Sequence, residues 1–324
     1  MAYAIRVHKY GGPEVLQWDE IEVGAPGQGQ VKLKHHAVGV NFIDVYLRTG
    51  LYPQPSFPFA PGMEGAGEVI AVGPGVTDLK VGDRVAYAGA AGSYATERVI
   101  PAEKVVKIPD GIDYKTAAGM MLQGMTVRYL LRKTYKAGPG TTLLMHAAAG
   151  GIGLIACQWA KHLGATIIGT TSSEDKSALA KAHGCTHVIN YKTEDFVKRV
   201  KEITGGKGCD VVYDSIGKDT FPASLDCLKP LGLFVTFGNA SGPIDAFNAG
   251  ILAAKGSLYM TRPTLNTYTA SRADLVETAS DLFDVVKKGA VKIAVNHTYA
   301  LKDAGQAHRD LEARKTTGSI VLLP

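Results

Sequence analysis

Over residues 1–111, apolar and polar residues alternate in short runs broken by glycine and proline. QVKLKHHAVGV and GEVIAVGPGVTDLKVGDRVAY are the clearest examples. A two-residue period turns one face of such a segment to a core and the other to water. This part is predicted to be a small, irregular β barrel. Over residues 114–135 the period lengthens, with Met121, Met125, Leu130 and Leu131 at helical spacing. Beyond that, TTLLMHA, TIIGTT, HVIN, CDVVYDSI, LFVTFG and SLYMT are nearly wholly apolar. Helices are expected to start between them near Gly150, Glu174, Glu194, Lys218 and Phe247. Strands apolar on both faces and alternating with helices predict a parallel sheet covered on both sides. The sixth strand, SLYMT, is expected at its edge. SRADLVETASDLFDVVKKG then reads as an amphipathic helix stopped by Lys287, Lys288 and Gly289. A strand, a short helix and the closing strand GSIVLL follow.

The first apolar strand runs into HAAAGGIG, and a helix resumes directly after it. In a G-x-G-x-x-G loop the first glycine permits a tight turn, the second admits the pyrophosphate, and the third lets helix and strand pack closely. Here the register is Ala148-Ala149-Gly150-Gly151-Ile152-Gly153, so only the first glycine is replaced, by alanine. The helix start offers free amides and a positive dipole end to a phosphate. Placed between an apolar strand and a helix, at the head of an alternating pattern, the loop is read as dinucleotide-binding.

An NAD-specific site puts an acid at the end of the second strand, about twenty residues on. This chain has Thr170-Thr171-Ser172-Ser173-Glu174-Asp175-Lys176 there. Ser172, Ser173 and Lys176 suit a 2′-phosphate, so NADPH is the expected cofactor. Glu174 and Asp175 are read as acids favouring a helix N-terminus and pointing away from the ligand. Tyr191, ending the third strand, has a ring able to cover the adenine or its phosphate.

Composition narrows the partners. A chain of 324 residues, 46% hydrophobic and 20% charged, is long enough for two domains and fits a globular protein. The net charge of +5 is scattered, which disfavours nucleic acid as a ligand. No signal peptide is read at MAYAIRVHKYGG. Residues 137–160 carry no formal charge, but the glycines and proline inside them argue for a buried strand, turn and helix rather than a membrane span. Cys157, Cys185, Cys209 and Cys227 form no C-x-x-C pair, and free thiols in a reducing cytoplasm are expected.

Several segments together resemble the medium-chain dehydrogenase/reductases, and within them the zeta-crystallin-like NADPH:quinone oxidoreductases. They are GVNFIDVYLRTGLYP, PGMEGAGEV, VGDRVAY, HAAAGGIG, YDSIG, FGNASG and GSIVLLP. The resemblance covers the whole length. It implies an α/β chain, with a Rossmann doubly wound parallel sheet beside an irregular GroES-like β-barrel catalytic domain. The expected boundaries are 1–121 for the catalytic domain, 122–265 for the NADPH-binding domain and 266–324 for a return to the first. Asn41, Thr126 and Tyr129 would then lie near the nicotinamide, with Gly150, Gly151 and Ile152 at the pyrophosphate. Ser172, Ser173, Lys176 and Tyr191 would meet the adenosine phosphate, with Arg314 approaching from the tail. Ser215, Phe237, Gly238, Thr261 and Arg262 would line the inner edge. The resemblance also suggests a homodimer joined at the edge of the nucleotide-domain sheet.

Zinc-dependent alcohol dehydrogenases of this superfamily have a cysteine where this chain has Asn41 and a histidine where it has Met63. Their four-cysteine lobe is missing too, since residues 88–99 contain no cysteine. Glu64 alone cannot hold a catalytic zinc, which needs about three converging ligands. His35 and His36, adjacent on a strand, face opposite sides. No metal is expected. A quinone needs no Lewis acid, because reduction creates an aromatic ring that stabilises its oxygen. Hydride can then pass directly from the nicotinamide, the protein supplying position and a proton. Asn41, Asp44, Tyr46 and Tyr52 are the candidate residues at the reacting site: the first two to orient, the tyrosines to line the pocket and donate. Met125 and Met145 are expected in the core. Two other readings stay open, an NADPH-dependent reductase of 2-alkenals or enones and a non-enzymatic NADPH-binding protein of the crystallin or RNA-binding kind.

Overall fold

The computed structural model describes residues 1–324, and the chain divides into two compact units. One comprises Met1–Met125, Thr269–Lys287 and Ile293–Pro324; the other comprises Thr126–Tyr268 and Lys288–Lys292.

The first unit opens with β1 (Ala2–Val7), β2 (Leu16–Ile21), β3 (Gln30–Val40) and α1 (Phe42–Thr49). Strands β4 (Glu64–Val72), β5 (Arg84–Ala88), β6 (Glu97–Pro101) and β7 (Val106–Lys107) follow, then α2 (Tyr114–Ala118). The alternation read in QVKLKHHAVGV is visible in β3, where Val31, Leu33, His35 and Ala37 are buried. The helical pattern over residues 114–135 is broken after α2 at Gly119, resumes as α3 (Met121–Tyr129), and ends in a wide turn over Leu130–Thr134.

The second unit carries β8 (Thr142–Met145), α4 (Gly151–His162), β9 (Thr166–Thr171), α5 (Glu174–Ala182), β10 (His187–Asn190) and α6 (Phe196–Ile203). It continues with β11 (Cys209–Asp214), β12 (Leu228–Thr236), α7 (Gly250–Ala254), β13 (Tyr259–Thr261) and α8 (Leu265–Tyr268). Its six strands pair in parallel in the order β10-β9-β8-β11-β12-β13, so β13, in SLYMT, is an edge strand. Leu144, Ile168, Ile189, Val212 and Phe234 centre its core, which explains why these strands carry no polar period. The helix expected near Lys218 is replaced by a single 3-10 turn, Ala223–Cys227. Pro222 stands at its cap, and a proline has no amide for a longer helix through that point. The helix expected near Phe247 begins at Gly250 and lasts five residues.

The tail returns to the first unit as α9 (Arg272–Lys287), β14 (Val295–Ala300), α10 (Ala304–Glu312) and β15 (Ser319–Leu323). β15 pairs antiparallel with β3 and parallel with β14, giving the order β14-β15-β3-β4-β5-β7, with β6 on β3. Gly289, two residues beyond α9, takes a left-handed conformation at the helix stop read there. Residues from the two chain ends thus sit in one sheet. No helix is long and apolar enough to cross a membrane.

Candidate active site

Asn41 leaves β3 and caps α1. Its amide N–H donates to Asp44 Oδ2 at 2.8 Å, and the two residues form a reciprocal capping box. Its side chain is committed on both sides: Nδ2 donates to Glu64 Oε1 at 2.6 Å, and Oδ1 accepts from Gln123 Nε2 at 3.1 Å. Glu64, at the start of β4, accepts the Leu122 amide on its other oxygen at 2.7 Å. Ser319, at the start of β15, donates to Gln123 Oε1 at 2.8 Å and faces the Gly119 carbonyl at 2.7 Å. Gly39 makes room for this cluster, since a Cβ there would stand 2.2 Å from Glu64 Oε1 and 2.5 Å from the Ala118 carbonyl.

Glu64 and Asp44 are fully buried without a cation in contact, so both keep their protons to unusual pH. Burial pushes Asp44 up to about 7, against the pull of the Asn41 amide and the Tyr94 hydroxyl. Burial pushes Glu64 up to about 8, its hydrogen bonds opposing and the charge of Asp44 adding to the rise. Asp44 Oδ1 is buried without a hydrogen-bond partner.

A second chain reaches Asp44 from the C-terminal elements. Arg48 Nη1 donates to His308 Nδ1 at 3.1 Å, and His308 Nε2 meets the Tyr94 hydroxyl at 3.0 Å. That hydroxyl donates to Asp44 Oδ2 at 3.0 Å. An arginine only donates, so His308 Nδ1 accepts and its proton sits on Nε2. Every bond in the chain therefore points toward Asp44. Arg48 is anchored by a bidentate pair with Glu312, at 2.8 and 3.0 Å. Burial and the Arg48 charge push His308 down to about 3, which keeps it neutral. Tyr46 is buried on α1, and Tyr52 packs edge-on against it with ring centroids 5.3 Å apart. The Tyr52 amide also donates to the Tyr46 carbonyl, which fixes the loop that carries it.

In the second unit the glycine loop lies between β8 and α4, the strand-to-helix setting expected for it. Gly150 caps α4 with no side chain over the first amides, leaving the amides that follow open to an anion. A Cβ on Gly153 would lie 2.4 Å from the Ala147 carbonyl and 2.6 Å from the Ala148 backbone, so the third glycine is obligatory. Alanine is tolerated at the first position because Gly169, on β9, leaves space for the Ala148 methyl. Ser173 caps α5, its hydroxyl accepting the Lys176 amide at 3.4 Å, and Lys176 is half-buried. Glu174 is engaged by Asn190 Nδ2 at 2.8 Å, which gives its carboxylate a partner within the protein. Ser172 and Tyr191 flank this strand end, Tyr191 more than a third exposed.

Gly238 lies so close to Ser215 that a Cβ would reach its carbonyl at 2.5 Å. The Ser215 turn is fixed by Asp214, whose Oδ1 accepts the Ile216 and Gly217 amides at 2.8 and 3.0 Å. Ser224 donates to Asp214 Oδ2, and His146 joins Ser224 to Thr170 at 2.9 and 3.0 Å. Ser224 stands between His146 and Asp214, whereas a nucleophilic triad has its histidine between serine and acid, so these buried side chains brace strand ends instead. Phe237 follows β12, its amide donating to the Asp214 carbonyl, and Arg262 Nη1 donates to Thr236 just beyond Thr261. Thr126 and Tyr129 are buried on α3. Arg314, at a left-handed turn after α10, belongs to the first compact unit, whereas Lys176 belongs to the second.

The alcohol dehydrogenase GroES-like domain family matches residues 27–110, and the zinc-binding dehydrogenase family matches residues 151–284. A quinone oxidoreductase of Pseudomonas aeruginosa is 53% identical, with all of both chains covered. The chain belongs to the quinone oxidoreductases of the medium-chain dehydrogenase/reductase superfamily. A solved quinone oxidoreductase of this family from Escherichia coli, in complex with NADPH, superposes with a TM-score of 0.98 at 50% identity, covering 99% of this chain and all of that one. A 2-haloacrylate reductase from a Burkholderia species is 49% identical over all of this chain and 99% of its own.

The zinc in the second matched family's description does not fit this quinone oxidoreductase. Asn41 offers only an amide, one bond at each end already made to Glu64 and Gln123, Met63 offers only a thioether, and no three His, Cys, Asp or Glu side chains converge. All four cysteines are buried and free. NADPH does fit, because Gly153 and Gly238 keep backbone where a side chain would intrude and the start of α4 is uncapped. Sequence reasoning missed Tyr94, Gln123, His308 and Ser319, and it met Glu64 only as an insufficient metal ligand. Arg48 stood unremarked inside GVNFIDVYLRTG. None of these carries a local motif.

Proposed function

We propose that this chain is an NADPH:quinone oxidoreductase working by direct hydride transfer without a metal. One observation carries the reading. A glycine-built phosphate loop, followed by a serine–lysine strand end, occurs in the same chain as a buried amide–carboxylate site where zinc dehydrogenases keep ligands. When bound, NADPH supplies the hydride from C4 of its nicotinamide. The open amides of α4 hold the pyrophosphate, and Ser172, Ser173 and Lys176 hold the 2′-phosphate. Asn41 orients the reacting groups, while Tyr46 and Tyr52 line the substrate pocket and offer hydroxyl hydrogens. Asp44, up to about 7, and Glu64, up to about 8, keep protons in the buried site near neutral pH.

The test is NADPH oxidation with 1,4-benzoquinone, 9,10-phenanthrenequinone and 2-hexenal in turn. Turnover of the quinones is expected; turnover of none would overturn the reading in favour of a binding protein. The 2-haloacrylate reductase among the relatives supports a second reading, reduction of activated alkenes, which preference for 2-hexenal would favour. The edge strand β13 exposes Tyr259 by 62% and suits pairing with a second copy as a homodimer. Light scattering should return twice the single-chain mass, and a single-chain mass at micromolar concentration would defeat that assembly. Four free thiols suit a cytoplasmic setting.

A further inference from the structure

Glu64, Asn41, Gln123 and Ser319 form one buried line in which two primary amides connect a carboxylate to a hydroxyl. Counting donors shows that the line has a direction. Ser319 O–H gives to Gln123 Oε1, Gln123 Nε2 to Asn41 Oδ1, and Asn41 Nδ2 to Glu64 Oε1. A carboxylate only accepts, so an ionised Glu64 enforces this order. A protonated Glu64 has a hydrogen to give on that oxygen, because its other oxygen is held by the Leu122 amide. The order then reverses without loss of a bond. Glu64 gives to Asn41 Oδ1, Asn41 Nδ2 gives to Gln123 Oε1, and Gln123 Nε2 gives to Ser319 Oγ. Ser319 keeps an acceptor for its own hydrogen, the Gly119 carbonyl at 2.7 Å. Both amides turn over together.

Each end of the Asn41 amide has one further hydrogen-bonding position, a second N–H on nitrogen and a second lone pair on oxygen. Reversal exchanges them, so a fixed point beside the amide meets a donor in one arrangement and an acceptor in the other. A donor stabilises a quinone oxygen gaining negative charge, and an acceptor receives the hydroxyl of the reduced ring. We propose that Gln123 and Ser319 are positioning residues for the reduction: with Glu64, they set whether Asn41 presents its donor or its acceptor to the substrate oxygen. This rests on the reading of Asn41 as a residue that touches the reacting groups.

No neighbouring group supplies a charge that would pin the line in one direction by direct contact. Asp44 faces Glu64 from α1, Tyr87 from β5 and Tyr94 from the strand-to-strand loop, each through its charge or potential charge. His35 on β3 is tied to Tyr87 and to the Ala95 carbonyl, and burial pushes it down to about 3, leaving it neutral. Gly39, also on β3, gives Glu64 its space. From α3 the Leu122 amide meets Glu64, and just after α2 the Gly119 carbonyl meets Ser319.

The experiment measures kcat and KM for 1,4-benzoquinone with NADPH across the pH range, in full-length protein. Glu64→Gln places a permanent N–H toward Asn41 while still accepting the Leu122 amide, and so fixes the reversed order. The native protein should show a pH transition of kcat, and this should vanish in Glu64→Gln, leaving the native acid-limb value throughout. Gln123→Met and Ser319→Ala should each lower kcat roughly two- to tenfold, the worth of one hydrogen bond, with the NADPH dissociation constant unchanged. Ser319→Thr, which keeps the hydroxyl, should restore it. A transition that persists in Glu64→Gln, or a native kcat and pH profile in both Gln123→Met and Ser319→Ala, overturns the proposal. Should Glu64→Gln not fold, infrared difference spectra of the native protein decide: side-chain amide bands must shift in step with a protonated carboxyl band, and invariant amide bands overturn it. Failure of the underlying reading looks different. Asn41→Leu would then leave quinone kcat and KM native, while the amide bands of the native protein still shifted with pH.

Discussion

The phosphate loop occupies seven consecutive positions, 147–153, whereas the buried acid cluster takes its members from positions 41, 44, 64, 94, 123, 308 and 319. The loop works through missing side chains: open amides at the start of α4, and glycines where a Cβ would strike backbone. The cluster works through side chains that are present and mutually saturated, with buried carboxylates held by amides and hydroxyls rather than by cations. A site made of backbone tolerates little change at its glycines and is indifferent to pH. A site made of buried acids should tolerate small changes of shape and respond to pH throughout its range.

The largest effect that would break this contrast is at Gly153. Gly153→Val puts a branched side chain where even a Cβ stands 2.4 Å from the Ala147 carbonyl. Displacing the open amides at the start of α4 should weaken NADPH roughly a hundredfold. Fluorescence titration that found native affinity would show that the loop does not hold the phosphates. Lys176→Ala should be milder and selective. One charge-assisted contact is worth about 1.5–3 kcal/mol, roughly ten- to a hundredfold for NADPH, with NADH nearly unaffected. Equal losses for the two cofactors in the same titration would remove Lys176 from the 2′-phosphate.

The pH response sharpens the other side of the comparison. Asp44 and Glu64 rise from 3.8 and 4.5 to about 7 and 8, so over that interval the folded protein holds more protons than the unfolded chain. Their contribution to stability therefore falls as pH rises from about 4 to about 8. His35 and His308 drop from 6.5 to about 3, so theirs rises across that lower window. The two pairs oppose each other between about 4 and 6.5, and only the acids titrate above it. Thermal melting should thus show a plateau that declines above about pH 6.5, and Glu64→Gln should flatten part of the decline. A melting temperature that rose from pH 6.5 to 8 would contradict the buried acids.

The smallest effect is expected at Tyr52. Tyr52→Phe keeps the edge-on packing against Tyr46 and removes only a hydroxyl. Quinone KM should change by less than about tenfold, the worth of one hydrogen bond, and kcat should move little. A loss of about 10²–10⁴-fold in kcat would make Tyr52 an acid–base residue instead.

What could be read in the sequence follows the same division. Gly150, Gly151 and Gly153 signal their loop because turn geometry and helix packing act between neighbours, and Lys176 follows from counting along the next strand. Alanine at 148 was readable as a departure, but its compensation by Gly169 was not, since that contact crosses two strands. Asn41, Asp44, Tyr46 and Tyr52 came through a local segment resembling a family. Gln123, Tyr94, His308 and Ser319 stayed hidden because strand register and the return of the tail decide their company. The helix expected near Lys218 failed for a local reason, Pro222, that the apolar pattern outweighed.

The pairing of β15 with β3 also sets a clock on biosynthesis. Ser319 lies 196 residues beyond its partner Gln123, and His308 lies 214 beyond Tyr94. At about 5–20 residues per second, a ribosome needs roughly 10–40 s to cover that distance. All of the phosphate loop, the serine–lysine strand end and the edge strand are made within the same interval. The nascent chain thus carries Gly150, Gly151, Gly153, Ser173 and Lys176 before Glu64 and Asp44 can meet the hydroxyl and imidazole that complete their surroundings.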